Sequence, residues 1–152
     1  MKKSQANKLI KLNKIRIRRQ EKKLTQAKMT YVESCKKVDS RNIQINQINS
    51  ENKELLDYLS LQTTSKSPIK REYVKIRKFW LNYDLEMHEY YLAQEIDEKN
   101  INHSEYQTEK KQWYKQKLKN EQLSLIRTKL LSKDNSYNEN REDELCQENM
   151  IK

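Results

Sequence analysis

Glycine is absent from this 152-residue sequence, and proline occurs once, at Pro68. Glycine supplies the positive-φ positions of tight hairpins and of many helix C-caps, and it makes up about 7% of average proteins. A β-rich fold needs many such turns, so the sequence disfavours sheets and barrels. The glycine motifs GxGxxG, GxxxxGK[ST] and GxSxG are also excluded. The composition therefore predicts long helices with few bends.

Apolar residues are scarce, at 34% of the chain, whereas charged residues reach 36%. A globular domain usually has about 45–50% apolar and 25% charged residues. An elongated shape accounts for this shortage, because each helix then buries only one narrow stripe. Disorder is the alternative, since low hydrophobicity with high net charge is its signature. The regular spacing of the apolar residues and the 12 aromatic residues favour the folded interpretation.

Features of membrane proteins, disulfide scaffolds and metalloenzymes are missing as well. No window reaches the ~18 consecutive apolar residues of a membrane span, and the N-terminal residues lack the apolar core of a signal peptide. Cys35 and Cys146 are far apart and are expected to be free cytosolic thiols. His88 and His103 have no third metal ligand at helical spacing, and His88 is expected to pair with Asp84 on the surface. We expect a cytoplasmic protein that is not an enzyme and has no catalytic residue, metal site or cofactor.

A seven-residue repeat predicts the first helix, over about residues 5–62. Seven of its eight positions are apolar. They are Ile10, Ile17, Leu24, Tyr31, Val38, Ile45, Asn52 and Leu59. The positions three residues further on are mostly polar at first and apolar later. This spacing is typical of a coiled coil, in which Asn52 either fixes the register or is simply tolerated.

A second helix is predicted over about residues 70–133, after a turn at about 63–69 that contains hydroxyl residues and Pro68. Its seam is predicted from two interleaved series with a spacing of seven: Tyr73, Trp80 and Met87, and Ile76, Tyr83 and Tyr90. The apolar stripe then shifts phase and becomes thin between residues 97 and 112, which indicates stutters.

One break between two helices of similar length predicts an all-α protein, a long antiparallel two-helix coiled-coil hairpin that forms a single domain over residues 1–133. A further break within 97–112 would instead give a short three-helix bundle. Residues 134–152 form an acidic, polar tail that we expect to be partly disordered.

The net charge of +10 is concentrated in the first thirty residues, which contain eleven Lys or Arg and one acid. In a hairpin, this block is expected to lie beside residues of about 115–135 and to form one basic end, with a second basic patch at the turn. A charged helix face is often only solvated. Self-repulsion within such a block costs stability, however, unless an anionic partner offsets it. The partner classes are an acidic protein surface, nucleic acid or an anionic membrane.

Several aromatic residues lie beside lysines, as in Lys78-Phe79-Trp80, where rings could stack on nucleic-acid bases. The seam spacing of Tyr73, Trp80, Tyr83 and Tyr90 favours a place in the coiled-coil core. Phe79, Tyr91 and Tyr114 flank that stripe and are predicted to be exposed anchors for a protein partner.

The sequence resembles one family of helical hairpins, the central-stalk proteins of type III secretion systems (the YscO group) and their flagellar counterparts (the FliJ group). The similarity lies in the basic heptad helix Leu9-Ile10-Lys11-Leu12-Asn13-Lys14-Ile15-Arg16-Ile17-Arg18-Arg19-Gln20-Glu21-Lys22-Lys23-Leu24. Trp80 early in the second helix and the acidic Arg141-Glu142-Asp143-Glu144-Leu145 are also similar. The chain differs from the family in having little Ala and much Asn, Ile and Tyr.

The resemblance implies a stalk that inserts its chain ends into the pore of a hexameric secretion ATPase. Its turn region would reach the cytosolic domain of an export-gate membrane protein, and some members also bind secretion chaperones. The protein would then be a cytoplasmic monomer at the inner-membrane export machinery, without membrane insertion. The ATPase contacts implied here are Lys8, Lys11, Lys14, Arg16, Arg18, Arg19, Arg127 and Lys129. The gate or chaperone contacts implied are Tyr73, Phe79, Trp80 and Tyr83. A basic coiled coil that binds nucleic acid is the alternative function.

Overall fold

Two long helices that pack against each other make up the fold. The computed structural model describes residues 2–61 and 68–151, and within these ranges every element is helical. Helix α1 spans Lys3–Leu61 and helix α2 spans Pro68–Ile151. The all-α two-helix hairpin predicted from the heptads is confirmed.

The helix starts follow local capping chemistry. The backbone N–H of Lys2 donates to the Gln5 side-chain Oε1 at 3.2 Å, and the Lys2 carbonyl accepts from the N–H of Gln5. This is the side-chain half of a capping box, which satisfies a donor that the first turn leaves free. Helix α2 begins at Pro68, two residues before the predicted start, because the fixed φ of proline suits the first helical position. The predicted turn at 63–69 falls mainly on residues 62–67, outside the described ranges.

The heptad predicted in α1 is the seam that the helix buries. All eight predicted positions from Ile10 to Leu59 are buried or half-buried. The second seam series is buried too, although several of its members are polar, including Asn13, Gln20 and Ser34. A polar residue at such a position lowers stability but can specify the register of the pairing.

The seam that α2 buries does not consist of the predicted residues. Val74 and Leu81 are 4% and 3% exposed, whereas Tyr73 and Trp80 are 68% and 52% exposed. The prediction that Tyr73, Trp80, Tyr83 and Tyr90 form the core is therefore wrong. Two series with a spacing of seven alternate along this part of the α2 sequence, and the buried one contains Lys78 and His88. Because Lys78 and His88 are polar, the series that contains Tyr73 and Trp80 has more apolar residues and was predicted as the seam.

The register of α2 continues without the predicted stutters. Buried and half-buried positions recur every seven residues from Val74 to Leu130, and every seven residues from Lys78 to Asn120. The sequence has few apolar residues between 97 and 112 because the seam there includes the polar residues Asn102 and Glu109. Helix α2 is also unbroken in this interval, so the three-helix alternative does not apply.

Helix α2 ends at Ile151, beyond the end predicted near residue 133. Every described residue after Leu131 is exposed. This segment contains no glycine or proline, so nothing in its sequence interrupts the helical backbone. Its helix has no packing against α1.

Contacts divide the hairpin into two compact units. Unit 1 comprises Met1–Gln26 and Gln107–Lys152, and unit 2 comprises Ala27–Tyr106. Both helices contribute to both units. In the described residues, neither helix contains a stretch that is apolar and long enough to cross a membrane.

Candidate partner-binding surfaces

Polar side chains set the pairing of the helices in unit 1. Asn13 Nδ2 donates to the backbone carbonyl of Gln116 at 3.3 Å, and Gln20 Nε2 donates to the backbone carbonyl of Glu109 at the same distance. The side chain of Gln20 also contacts the Glu109 carboxylate. The first 18 helical residues of α1, 3–20, therefore run antiparallel to residues 109–126. The predicted neighbours, at about 115–135, lie somewhat further along the chain.

The basic residues predicted to contact an ATPase are all exposed in unit 1. They are Lys8, Lys11, Lys14, Arg16, Arg18, Arg19, Arg127 and Lys129. The structure does not bring all of them together. In the pairing described above, Arg127 of α2 lies opposite the first residues of α1. The distance from there to Arg16, measured along the axis of α1, is about 20 Å. The lysines that lie beside Arg16–Arg19 come from a cluster in α2 that is not among the predicted contacts. Its members are Lys110, Lys111, Lys115, Lys117 and Lys119.

A groove between the helices of unit 1 joins some of these charges to apolar side chains. Leu9, Leu12, Leu123 and Ile126 line it, together with Arg16 and Lys119. Leu12 is 52% exposed, although it is a large apolar residue. We call this the basic groove. An apolar surface with positive charges at its edge suits an amphipathic, acidic segment of another protein. The sequence signal for it was the position of Leu9 and Leu12 outside the α1 heptad.

The second surface is the outward-facing stripe of unit 2, which we call the aromatic stripe. Its members are Tyr73, Ile76, Trp80, Tyr83, Met87 and Tyr90, and each is at least 36% exposed. Phe79 borders it, at 5.6 Å from Trp80 between ring centroids, and Trp80 lies 6.0 Å from Tyr83. Both pairs are edge-to-face, a favourable geometry for aromatic rings. The four residues predicted to contact a gate or chaperone thus lie together on one exposed surface.

A smaller aromatic patch lies in unit 1. Trp113 and Tyr114 line a pocket with Gln107, Lys110, Lys111 and Lys115. Trp113 is half-buried and donates its indole N–H to Glu21 at 3.4 Å, while the Lys117 ammonium lies 5.0 Å from its ring centroid. Tyr114 is 58% exposed, so its ring can accept another planar group.

Arg41 forms an ion pair between the helices of unit 2 that is shorter than the Lys37–Glu98 and Arg77–Glu51 pairs. Its guanidinium donates two hydrogen bonds to the Glu95 carboxylate, at 2.7 and 3.2 Å. It also contacts Nδ1 of His88 at 2.8 Å and lies over the Tyr91 ring. The hydrogen bond from Arg41 lowers the pKa of the Glu95 carboxyl below its ordinary value, and the same bond raises the pKa of Arg41. His88 therefore lies in the seam with Arg41 as its partner, and not on the surface with Asp84 as predicted.

Thiols and metal ligands are dispersed. Cys35 is half-buried and Cys146 is exposed, and both are free. Through a hydrogen bond, Cys35 raises the pKa of the Tyr31 hydroxyl one turn away. Within the described ranges, no three His, Cys, Asp or Glu side chains are grouped so that they could hold a metal ion.

The chain matches no protein-family model, no characterised protein and no solved structure.

Proposed function

We propose that this chain is a non-enzymatic stalk of a type III secretion apparatus that binds a hexameric ATPase through unit 1. The observation that carries the proposal is the exposed basic groove, in which Arg16 and Lys119 border apolar side chains beside further exposed arginines. Acidic loops around an ATPase pore have the complementary charge. Such charge pairs raise association rates and suppress wrong partners.

The aromatic stripe is the second docking surface in this proposal. Tyr73, Phe79, Trp80 and Tyr83 would contact the cytosolic domain of the export gate or a secretion chaperone. Exposed aromatic residues are enriched among the residues that dominate binding energy, which supports this assignment. The location that follows is cytoplasmic, at the inner-membrane export machinery.

The test is a reconstitution with a hexameric ATPase encoded next to this chain. Turnover and hexamer formation are measured with the wild-type chain and with Arg16→Glu/Arg18→Glu/Arg19→Glu. We expect the wild type to raise both, and the triple variant to lose the effect because it replaces three positive charges at the contact with three negative ones. A matched control, Lys36→Glu/Lys53→Glu/Lys75→Glu, makes the same change in net charge on exposed residues of unit 2 and should still stimulate. Wild-type protein without effect on the ATPase would exclude the stalk function.

Nucleic-acid binding is the second candidate, and the Trp113–Tyr114 pocket is the observation that favours it. Four of its neighbours are lysines, and Tyr114 exposes its ring. A single strand could stack a base on Tyr114 while lysines contact phosphates. Fluorescence anisotropy with a labelled single-stranded oligonucleotide tests it. This function predicts affinity that falls steeply with salt and is weakened by Tyr114→Ala, whereas the stalk function predicts no binding at physiological salt.

A further inference from the structure

The aromatic stripe has the geometry of a second coiled-coil seam. Its residues follow the spacing 3-4-3-4-3, the same alternation that the buried seam uses. Since the inner seam keeps a seven-residue register, a second series of seven also stays on one side of α2. Its large residues are exposed, with Tyr73 at 68% and Tyr90 at 59%. The stripe therefore faces away from α1, where another helix can approach without displacing it.

We propose that the aromatic stripe binds the same stripe of a second copy of this chain, with the two α2 helices antiparallel. The proposal goes beyond the stalk function and does not depend on it. It also replaces the monomer expected from the sequence. A gate or chaperone that binds the stripe would compete with the second copy.

An antiparallel arrangement pairs every residue of the stripe with another member. When the two stripes are centred on each other, Trp80 of one copy lies opposite Tyr83 of the other. Ile76 then lies opposite Met87, and Tyr73 opposite Tyr90. The layers thus combine one large residue with a similar or more flexible one, and none of these layers contains a charged side chain.

Charge decides the orientation. The start of α2 is basic, with Lys70, Lys75, Arg77 and Lys78 close together, whereas residues 84–98 contain six acids and no Lys or Arg. Antiparallel copies place the basic part of one helix beside the acidic part of the other, and parallel copies place like charges together.

One flanking pair illustrates this complementarity. In the antiparallel register, Arg77 of each copy borders Asp84 of the other. Arg77 already binds Glu51 of its own chain through Nε and Nη2, at 2.9 and 2.8 Å. A guanidinium has five N–H donors, so it can hold a second carboxylate as well.

The exposed area is sufficient for a dimer. Aromatic side chains offer about 150–250 Å² each. The four aromatic members of the stripe and the adjacent Phe79 are half exposed or more, and with the smaller exposed areas of Ile76 and Met87 they present about 600–700 Å² per copy. The total of about 1,200–1,400 Å² reaches the range of specific interfaces, at its lower end. We expect a dimer that dissociates on dilution.

Sedimentation equilibrium of the full chain over a wide concentration range tests the interface. The wild type should show a monomer–dimer equilibrium. The variant Trp80→Glu/Tyr83→Glu should raise the dissociation constant at least about 30-fold, because it buries charge at the centre of the interface. The control Tyr114→Glu/Leu125→Glu adds the same charge at exposed positions of α2 outside the stripe and should leave the equilibrium unchanged. Circular dichroism confirms that all variants remain helical.

Two results would overturn the proposal at this stage. The first is a wild type that stays monomeric at every concentration. The stripe would then bind a protein other than a second copy of this chain. The second is a control variant that dissociates as readily as the stripe variant, which would place the contact elsewhere.

Spin labels then test the orientation. The variants Glu89→Cys and Ile101→Cys are made separately in a Cys35→Ser/Cys146→Ser background, and each is spin-labelled at its single cysteine. Each variant then gives one distance, between the labels on the two copies. Antiparallel stripes predict an axial separation of about 22 Å for position 89 and about 58 Å for position 101, at about 1.5 Å per residue. Similar short distances at both positions would mean parallel helices and would contradict the proposal.

Discussion

Arg41 occupies a position that most coiled coils give to an aliphatic side chain. Its guanidinium contacts His88 and Glu95 of the opposite helix. The side chains of Arg41 and Glu95 are largely shielded, at 23% and 17% exposure. A shielded ion pair contributes little net stability compared with an apolar contact, but breaking it leaves an uncompensated charge. We therefore expect Arg41 and Glu95 to favour this register of the two helices, because a shift of one heptad would separate them.

The variant Glu95→Gln tests this contact. At pH 7 it should lower the free energy of unfolding by about 1–2 kcal/mol, because Arg41 loses its carboxylate in a partly shielded site. The pKa of Glu95 is lowered in the folded state, so its contribution is present above the ordinary carboxyl pKa and is lost as the pH falls through the lowered value. The difference between variant and wild type in urea unfolding should thus disappear in strong acid.

Glu98→Gln is the matched control for that measurement. Glu98 lies 4.0 Å from Lys37 and is 53% exposed, so its loss should change the free energy of unfolding by less than about 0.5 kcal/mol. Equal effects of the two variants at pH 7 would contradict the special role of the Arg41 contact.

At the scale of the elements, α2 differs from α1 in carrying two stripes with a spacing of seven. One runs through Val74 and Leu81 and faces α1, while the other runs through Tyr73 and Trp80 and faces outward. A seam needs side chains that fit between those of the opposite helix more than it needs the largest apolar residues. A helix of this kind can bind α1 and a further helix at the same time.

Substitutions at neighbouring positions separate the two stripes. Leu81→Ala should lower the free energy of unfolding by about 2–3 kcal/mol, since it removes buried apolar volume. Trp80→Ala should cost less than about 1 kcal/mol in dilute protein, where the stripe has no partner, although it removes a larger side chain. Urea unfolding followed by circular dichroism measures both. A larger cost for Trp80→Ala would restore the aromatic seam predicted from the sequence.

For the whole molecule, the sequence was sufficient for the hairpin and insufficient for its surfaces. The α1 heptad and the single break around Pro68 predicted two helices. In a helix with only one apolar series, such as α1, the spacing of that series identifies the buried face. The orientation of α2 could not be read in this way, since two periodic stripes compete and Lys78 and His88 obscure the buried one. The lysines of α2 that lie near Arg16 were not predicted either, because their position depends on the pairing of Asn13 with Gln116, which the spacing of apolar residues does not reveal.

The central claim is that the hairpin keeps its aromatic stripe outside for partners, and hydroxyl-radical footprinting of the full chain in dilute solution tests it most directly. Among side chains of one type, such as the tyrosines, the rate of modification rises with exposure. Trp80, Tyr73 and Tyr90 should be modified rapidly, whereas Tyr31, which stacks on Tyr106 in the seam, should react slowly together with Tyr106. Protection of Trp80 and Tyr73 in the dilute monomer, with rapid reaction at Tyr31 and Tyr106, would contradict the account.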